Sequence, residues 1–438
     1  MSPAPQQAQW FGQPRGLTIL FLTQMWEIFS YYGMRTLLVY YMTKHLLFAQ
    51  EKSSLIYGTY TALAYFTPIL GGAISDRWLG KRRAVVIGAS VMAAGHFMMA
   101  FEPLFFVALA TIALGNGLFL PSLPSQINDL YRADDPRRGR AYNVYYVGIN
   151  VGGFMAPLIC GTLGELYGWH YGFGAAGVGM LVGLIIYVAG RDYLPREIPR
   201  HERPVPTAGE GRRGDQRQVW LLLLGVGIAA TIFRGAYEQI GNTIALWTDV
   251  GVDRAWGGMV IPMTWFQALN PLLVISMTPL LLLHWRRRAD QGSETSPARK
   301  MAIGALIVAG AYLLLAAVSA SVGTERASWV WLLLFFVILT LGELYILPTG
   351  LGLFARLAPP RLGATTVAAW FLAVFSGSLL AGVVGTLWSW ASHTGFFVLL
   401  SGLATLAAIL LWLLDRPIRR VEQGRAEGDL APGVAARN

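Results

Sequence analysis

The chain has 438 residues, of which 55% are hydrophobic and 13% charged, and a mean hydropathy of +0.49, whereas soluble proteins carry roughly a quarter charged residues. This composition excludes a soluble domain and reads as an all-α membrane protein. The formal charge of +10 does not point to nucleic acid, because the basic residues sit in short loops between apolar runs, as in cytoplasmic loops.

The polar stretch up to Pro14 lacks the basic n-region of a cleaved signal, so the first apolar run, 17–43, is expected to stay in the mature protein. That run contains Gln24, Glu27, Tyr31, Tyr32 and Arg35. Glu27, Tyr31 and Arg35 stand at i, i+4 and i+8 and share one helix face. A carboxylate and a guanidinium each cost at least a few kcal/mol in hydrocarbon, so this face is expected to meet a wet cavity or a partner and to handle a polar solute. Runs long enough to cross about 30 Å of hydrocarbon follow at 55–75, 84–101, 104–131, 141–164 and 170–190. Residues 191–217, rich in Arg, Pro and Gly, read as a solvated linker. Beyond it lie apolar runs at 218–249, 257–284, 301–322, 328–355, 364–390 and 394–414.

Twelve spans result, arranged as two six-helix bundles at 1–190 and 218–415, with a cytoplasmic linker at 191–217 and a cytoplasmic tail at 416–438. When the loops are numbered alternately, the basic clusters fall on one side. They are Arg77/Lys81/Arg82/Arg83, Arg132/Arg137/Arg138/Arg140, the linker, Arg286/Arg287/Arg288 with Arg299/Lys300, Arg356/Arg361 and Arg416/Arg419/Arg420. The opposite loops hold little beyond Lys44, Lys52, Arg254 and Arg326, which places both termini in the cytoplasm. The lone cysteine, Cys160, precludes an intrachain disulfide. His45, His96, His170, His201, His284 and His393 show no ligand spacing, so no metal site or cofactor is expected. No nucleotide-binding loop is present, which argues against ATP-driven transport; the chain is not expected to be an enzyme.

Gly71-Gly72-Ala73-Ile74-Ser75-Asp76-Arg77-Trp78-Leu79-Gly80-Lys81-Arg82-Arg83 joins the second and third spans and resembles the Gly-x-x-x-Asp-Arg-x-Gly-Arg-Arg signature of the major facilitator superfamily. Its glycines allow close helix approach, and Asp76 is suited to cap a helix end or pair with bases across a cytoplasmic gate. An ordinary basic loop is the competing reading. Within that superfamily the chain resembles the proton-dependent oligopeptide transporters. Glu27, Phe29, Tyr31, Tyr32 and Gly33 match the motif Glu-x-x-Glu-Arg-Phe-x-Tyr-Tyr-Gly. Tyr145-Tyr146-Val147-Gly148-Ile149-Asn150-Val151-Gly152 resembles Phe-Tyr-x-x-Ile-Asn-x-Gly. Gly168 to Gly174, Tyr237-Glu238-Gln239, Trp265 to Pro271, Gly342 to Pro348 and Trp370-Phe371-Leu372 also look like family segments. The pair of extra helices that many bacterial members insert between the halves is missing, since 191–217 is too polar to supply it.

The resemblance implies that Arg35 holds a peptide carboxylate and Glu343 its ammonium, with Tyr31, Tyr32, Tyr65, Asn150, Glu238, Gln267, Asn270 and Trp370 completing the substrate site. For Arg35 and Glu343 the competing reading is a helix–helix ion pair, and for the aromatics it is ordinary core or interface packing. Asp76 and Arg77 would serve the gate. Three departures stand out: the motif's first Glu is Gln24, its Arg is Ile28, and a customary lysine in the fourth span is Leu120. Loss of all three together avoids a stranded buried charge. In the seventh span the usual Trp is Arg234, at i, i+4 from Glu238.

The expected function is therefore secondary transport of di-/tripeptides or peptide-like compounds across the cell membrane by alternating access, with atypical or absent proton coupling. Glu27 and Glu238 are the proton-coupling candidates. The expected partners are a small peptide, protons and the lipid bilayer, with the chain monomeric and not bound to nucleic acid. Export of a peptide-like natural product and peptide reception without turnover are the alternatives. The 27 residues of 191–217 and the tail after Asp415 are too short and too low in apolar content for a signalling domain.

Overall fold

The computed structural model describes residues 9–10, 12–131, 135, 137–195, 216–291, 295–357 and 363–430. The first half forms α1 (Arg15–Tyr40), α2 (Gln50–Ile74), α3 (Lys81–Met98), α4 (Phe105–Asp129), α5 (Arg137–Ala156), the short α6 (Thr162–Leu166) and α7 (Trp169–Ala189). Wider π-helical turns prolong α1 over Tyr41–His45 and α2 over Ser75–Leu79, and another links α5 to α6. The second half forms α8 (Gln216–Tyr237), α9 (Thr243–Val250), α10 (Leu269–Asp290), α11 (Pro297–Val322), α12 (Trp329–Leu357), α13 (Gly363–Thr386) and α14 (His393–Leu430).

Among the described residues, nine helical segments are long and apolar enough to cross a membrane, from Glu102–Asp129 to His393–Gln423. The other long helices are α1, α2 and α3, and their sequences explain their lower hydropathy. Polar side chains dilute α1, and tyrosines and threonines dilute α2. All 18 residues of α3 must include Lys81, Arg82 and Arg83. Of the linker read at 191–217, residues 196–215 lie outside the described set, as do 431–438 of the tail. The eighth run begins later than its apolar composition suggests. Ala255–Trp256 pairs antiparallel with Met259–Val260 around Gly257 and Gly258, and a 3₁₀ turn over Met263–Ala268 leads into α10.

Two compact units result, Met1–Pro204 with Gln239–Ile275, and Val205–Glu238 with Ser276–Asn438. In the first, α1 packs on α5 and α7, while α4 packs on α2 and α3. Leu20, Met92, Phe119, Leu123, Ile127 and Met180 fill one core, and Leu37, Tyr41, Phe105, Ile112 and Phe173 fill another. A Cβ on Gly71 would lie 2.0 Å from the Gly117 carbonyl oxygen, so the α2–α4 crossing requires glycine there.

Residues 239–275 join this unit through polar contacts as well as packing. The Tyr40 hydroxyl donates to the Ala245 carbonyl at 2.8 Å, and Ser54 donates to Asn242 at 2.9 Å. Lys44 pairs with Asp249 at 2.7 Å. The Glu165 carboxylate accepts the backbone N–H groups of Met263 and Thr264 at 3.0 and 2.8 Å, capping the turn that starts α10.

In the second unit α11 packs against α12 and α14, and α8 against α13 and α14. Tyr312, Phe335, Phe336, Phe354 and Phe396 are buried in this unit. Gly304 and Gly342 let α11 and α12 meet backbone to backbone, since a Cβ on either would come within 2.5–2.6 Å of the other's carbonyl oxygen.

Candidate functional site

The predicted polar face of α1 occupies a compact aromatic setting in the first unit. Arg35 is half-buried, and its Nε donates to the Tyr57 hydroxyl at 2.9 Å. Its guanidinium also lies over the rings of Tyr32 and Tyr57, 5.5 and 5.6 Å from their centroids. Such contacts contribute on the order of 0.5–2 kcal/mol each, according to how dry they are, and they hold the fork at a fixed bearing. Tyr31 stacks on Tyr60 at 6.3 Å and meets Tyr32 edge-on at 5.7 Å.

Tyr57 and Tyr60 are site neighbours that the sequence reading missed. They sit three residues apart on α2, as one face of a helix requires, and that spacing was the available signal. The Tyr60 hydroxyl is buried and has no hydrogen-bond partner among the described residues. Tyr65, five residues beyond Tyr60, is half-buried on α2.

One turn before Tyr31, Glu27 is 1% exposed, and Gln24 Nε2 donates to its Oε2 at 2.7 Å. The Tyr145 hydroxyl of α5 donates in turn to the Gln24 side-chain amide oxygen, Oε1. Asn150, on the same helix, is 7% exposed and donates to the Tyr146 carbonyl at 2.9 Å. The 239–275 segment brings two more predicted residues to this unit. Gln267 donates weakly, at 3.4 Å, to the Thr36 carbonyl beside Arg35. Asn270 opens α10 next to Pro271, and Gly153 of α5 lies against Pro271. Arg35, Gln267, Asn270 and Asn150 thus belong to neighbouring parts of one unit.

The second unit holds Glu238, Glu343 and Trp370. Arg234 and Glu238 form an ion pair at 2.5 Å, with side chains 8% and 1% exposed. Arg234 Nε also reaches Ser378 Oγ of α13 at 3.4 Å, and its stem lies where a Cβ on Gly377 would clash. The 3₁₀ turn over Glu238–Gly241 interrupts the seventh run at this pair. Glu343 is buried on α12, immediately after the Gly342 crossing. Trp370 of α13 packs edge-on against Phe354 of α12 at 5.2 Å, over Gly350.

Asp76 and Arg77 are exposed on the π-helical turn between α2 and α3. The turn is fastened to α4 by Ser122 donating to Ser75 at 3.0 Å and by Lys81 pairing with Asp129 at 2.6 Å. Gly80 closes it with φ +79°, a conformation favouring glycine. Among the described residues no cluster of His, Cys, Asp and Glu is arranged to hold a metal.

Comparison with known proteins gives a consistent picture. The model of the POT family matches residues 82–209 and 210–401. The uncharacterized transporter YclF of Bacillus subtilis (strain 168) is 30% identical, with 95% of this chain and 97% of that protein covered. A di-/tripeptide transporter of Lactococcus lactis subsp. lactis (strain IL1403) is also 30% identical, with 94% and 97% covered. Among solved structures, a variant of the peptide transporter POT in complex with alafosfalin superposes with a TM-score of 0.84 at 29% identity, covering 94% of this chain and 97% of that one.

Proposed function

Because the chain belongs to the POT family, we propose that this multi-pass membrane protein moves di-/tripeptides or closely related peptide-like compounds across the membrane by alternating access. The observation that carries this reading is Arg35, a guanidinium half-buried on α1 and oriented by Tyr57 and Tyr32. A fork so held suits bidentate recognition of a carboxylate. Glu343, buried in the other unit, supplies the opposite charge for the peptide's ammonium. Tyr31, Tyr32, Tyr65, Asn150, Gln267, Asn270 and Trp370 furnish hydroxyls, amides and rings for the backbone and side chains of the peptide. The chain is read as twelve spans in two six-helix halves, 1–190 and 218–415, with cytoplasmic termini.

Proton coupling is weak or absent in this reading. Gln24, Ile28 and Leu120 cannot titrate, and Glu238 is tied to Arg234. The test is uptake of labelled dipeptide into proteoliposomes containing unlabelled dipeptide, with and without a pH step. Exchange is expected, with little stimulation by an inward proton gradient. Stoichiometric binding without accumulation would instead identify a receptor. Strong stimulation of uptake by the pH step that survives Glu238→Gln would overturn the coupling reading.

The gate yields a separate expectation. Asp76 and Arg77 lie on the joint between two helices rather than beside Arg35, so Asp76→Asn and Arg77→Ala should slow turnover by on the order of tenfold, about 1.4 kcal/mol of barrier. Peptide affinity measured by calorimetry should hardly change. Equal losses of binding and transport would point to misfolding rather than gating.

A further inference from the structure

Glu27 presents an unusual problem. Its carboxyl is 1% exposed, and its one hydrogen-bond partner among the described residues is the neutral amide of Gln24. Gln24 is itself 1% exposed. A glutamine amide has two faces, and by rotating it can offer a carboxyl group either N–H donors or an acceptor oxygen. Here the choice is made by a third residue. Tyr145, on α5, directs its hydroxyl to the Gln24 oxygen, which turns the NH₂ toward Glu27. With the phenol donating to the amide oxygen, both amide N–H donors are left on the side of Glu27. The phenol occurs where the family signature has phenylalanine, and the amide where the motif has glutamate.

We propose that Tyr145 and Gln24 act as a positioning pair for Glu27, fixing the amide so that it donates to the carboxylate and makes Glu27 a one-proton site with no guanidinium partner among the described residues. The proposal rests on the transporter reading above and deepens it. The titratable groups facing Glu27 from the packed elements are Tyr60 of α2 and Tyr145 of α5, with Arg35 farther along α1 within electrostatic reach of Tyr60. Where α7 touches this part of α1 it presents Gly183, which carries no charge. N–H donation favours the ionised carboxyl, so losing the lock lets the amide turn its oxygen toward Glu27 and favours the proton-bound form.

The pair is testable by infrared titration of the purified full-length chain in nanodiscs, following the carboxylic-acid band that Glu27→Gln removes. Tyr145→Phe should move the midpoint of that band upward by about one pH unit, a tenfold change in proton affinity. Gln24→Ala should move it comparably, and Tyr145→Phe added to Gln24→Ala should move it no further. The acid limb of dipeptide exchange should shift with the band. Because the band is read without transport, failure of peptide exchange in the parent would sink the functional reading and leave this one measurable. A Tyr145→Phe midpoint equal to the parent's overturns the proposal. So does a Tyr145→Phe effect that persists undiminished in the Gln24→Ala background, or a band unaffected by Glu27→Gln.

Discussion

Arg234→Ala should lower the stability of the purified protein by about 3–5 kcal/mol, because it removes the guanidinium lying 2.5 Å from a carboxylate that is 1% exposed. The loss has two sources: the pairing itself and the packing of the arginine stem against Gly377 and Ser378 of α13. Arg234→Lys keeps the charge but cannot reproduce the fork that meets Glu238 and Ser378 together, so it should recover only part of the loss. The double replacement Arg234→Met with Glu238→Leu should fold at least as well as either single variant, since it leaves no charge to desolvate. Denaturant melts in detergent would rank the four proteins. An Arg234→Ala variant as stable as its parent would mean that the pair is wetter and weaker than its geometry implies, and would reopen Glu238 as a mobile proton carrier.

That ion pair was legible in the sequence because helical spacing alone brings i and i+4 together. The same rule exposed the Glu27–Tyr31–Arg35 face. Contacts between helices were another matter. Nothing in the α1 sequence says that Tyr57 of α2 will take the Nε edge of Arg35, or that Tyr145 of α5 will land on Gln24; both depend on how the helices cross. Hydropathy also gave a misleading start for the eighth run, because Trp256, Met259 and Val260 are apolar yet belong to a hairpin turned by Gly257-Gly258. The grouping of 239–275 with the first unit was equally hidden. It depends on scattered pairs such as Tyr40 with Ala245 and Glu165 with Thr264, each unremarkable in its own segment. Apolar length and charge placement thus revealed the helices, whereas the partners of the buried polar groups needed three dimensions.

Arg35→Ala should weaken di- and tripeptide binding by on the order of 2–5 kcal/mol where the contact is dry, and by less where water enters. The structural reason is that Tyr57 and Tyr32 already hold the guanidinium in position, so the substrate does not meet the cost of ordering a long side chain. Tyr57→Phe should accordingly give a smaller loss of the same kind, because the charge stays while its bearing loosens. Arg35→Lys should resemble Arg35→Ala more than the parent, since an ammonium cannot match a carboxylate bidentately. The opposite end of the peptide supplies the control. If Glu343 binds the ammonium, Glu343→Gln should reduce affinity for free-amine peptides and hardly alter affinity for N-acetylated ones, while Arg35→Ala should weaken both. Equilibrium binding of one dipeptide in free, N-acetylated and C-amidated forms to these variants would resolve the two ends. Unchanged dipeptide binding in Arg35→Ala would remove the carboxylate clamp. It would leave Arg35 as a cation held by its aromatic neighbours for the sake of the α1–α2 contact alone.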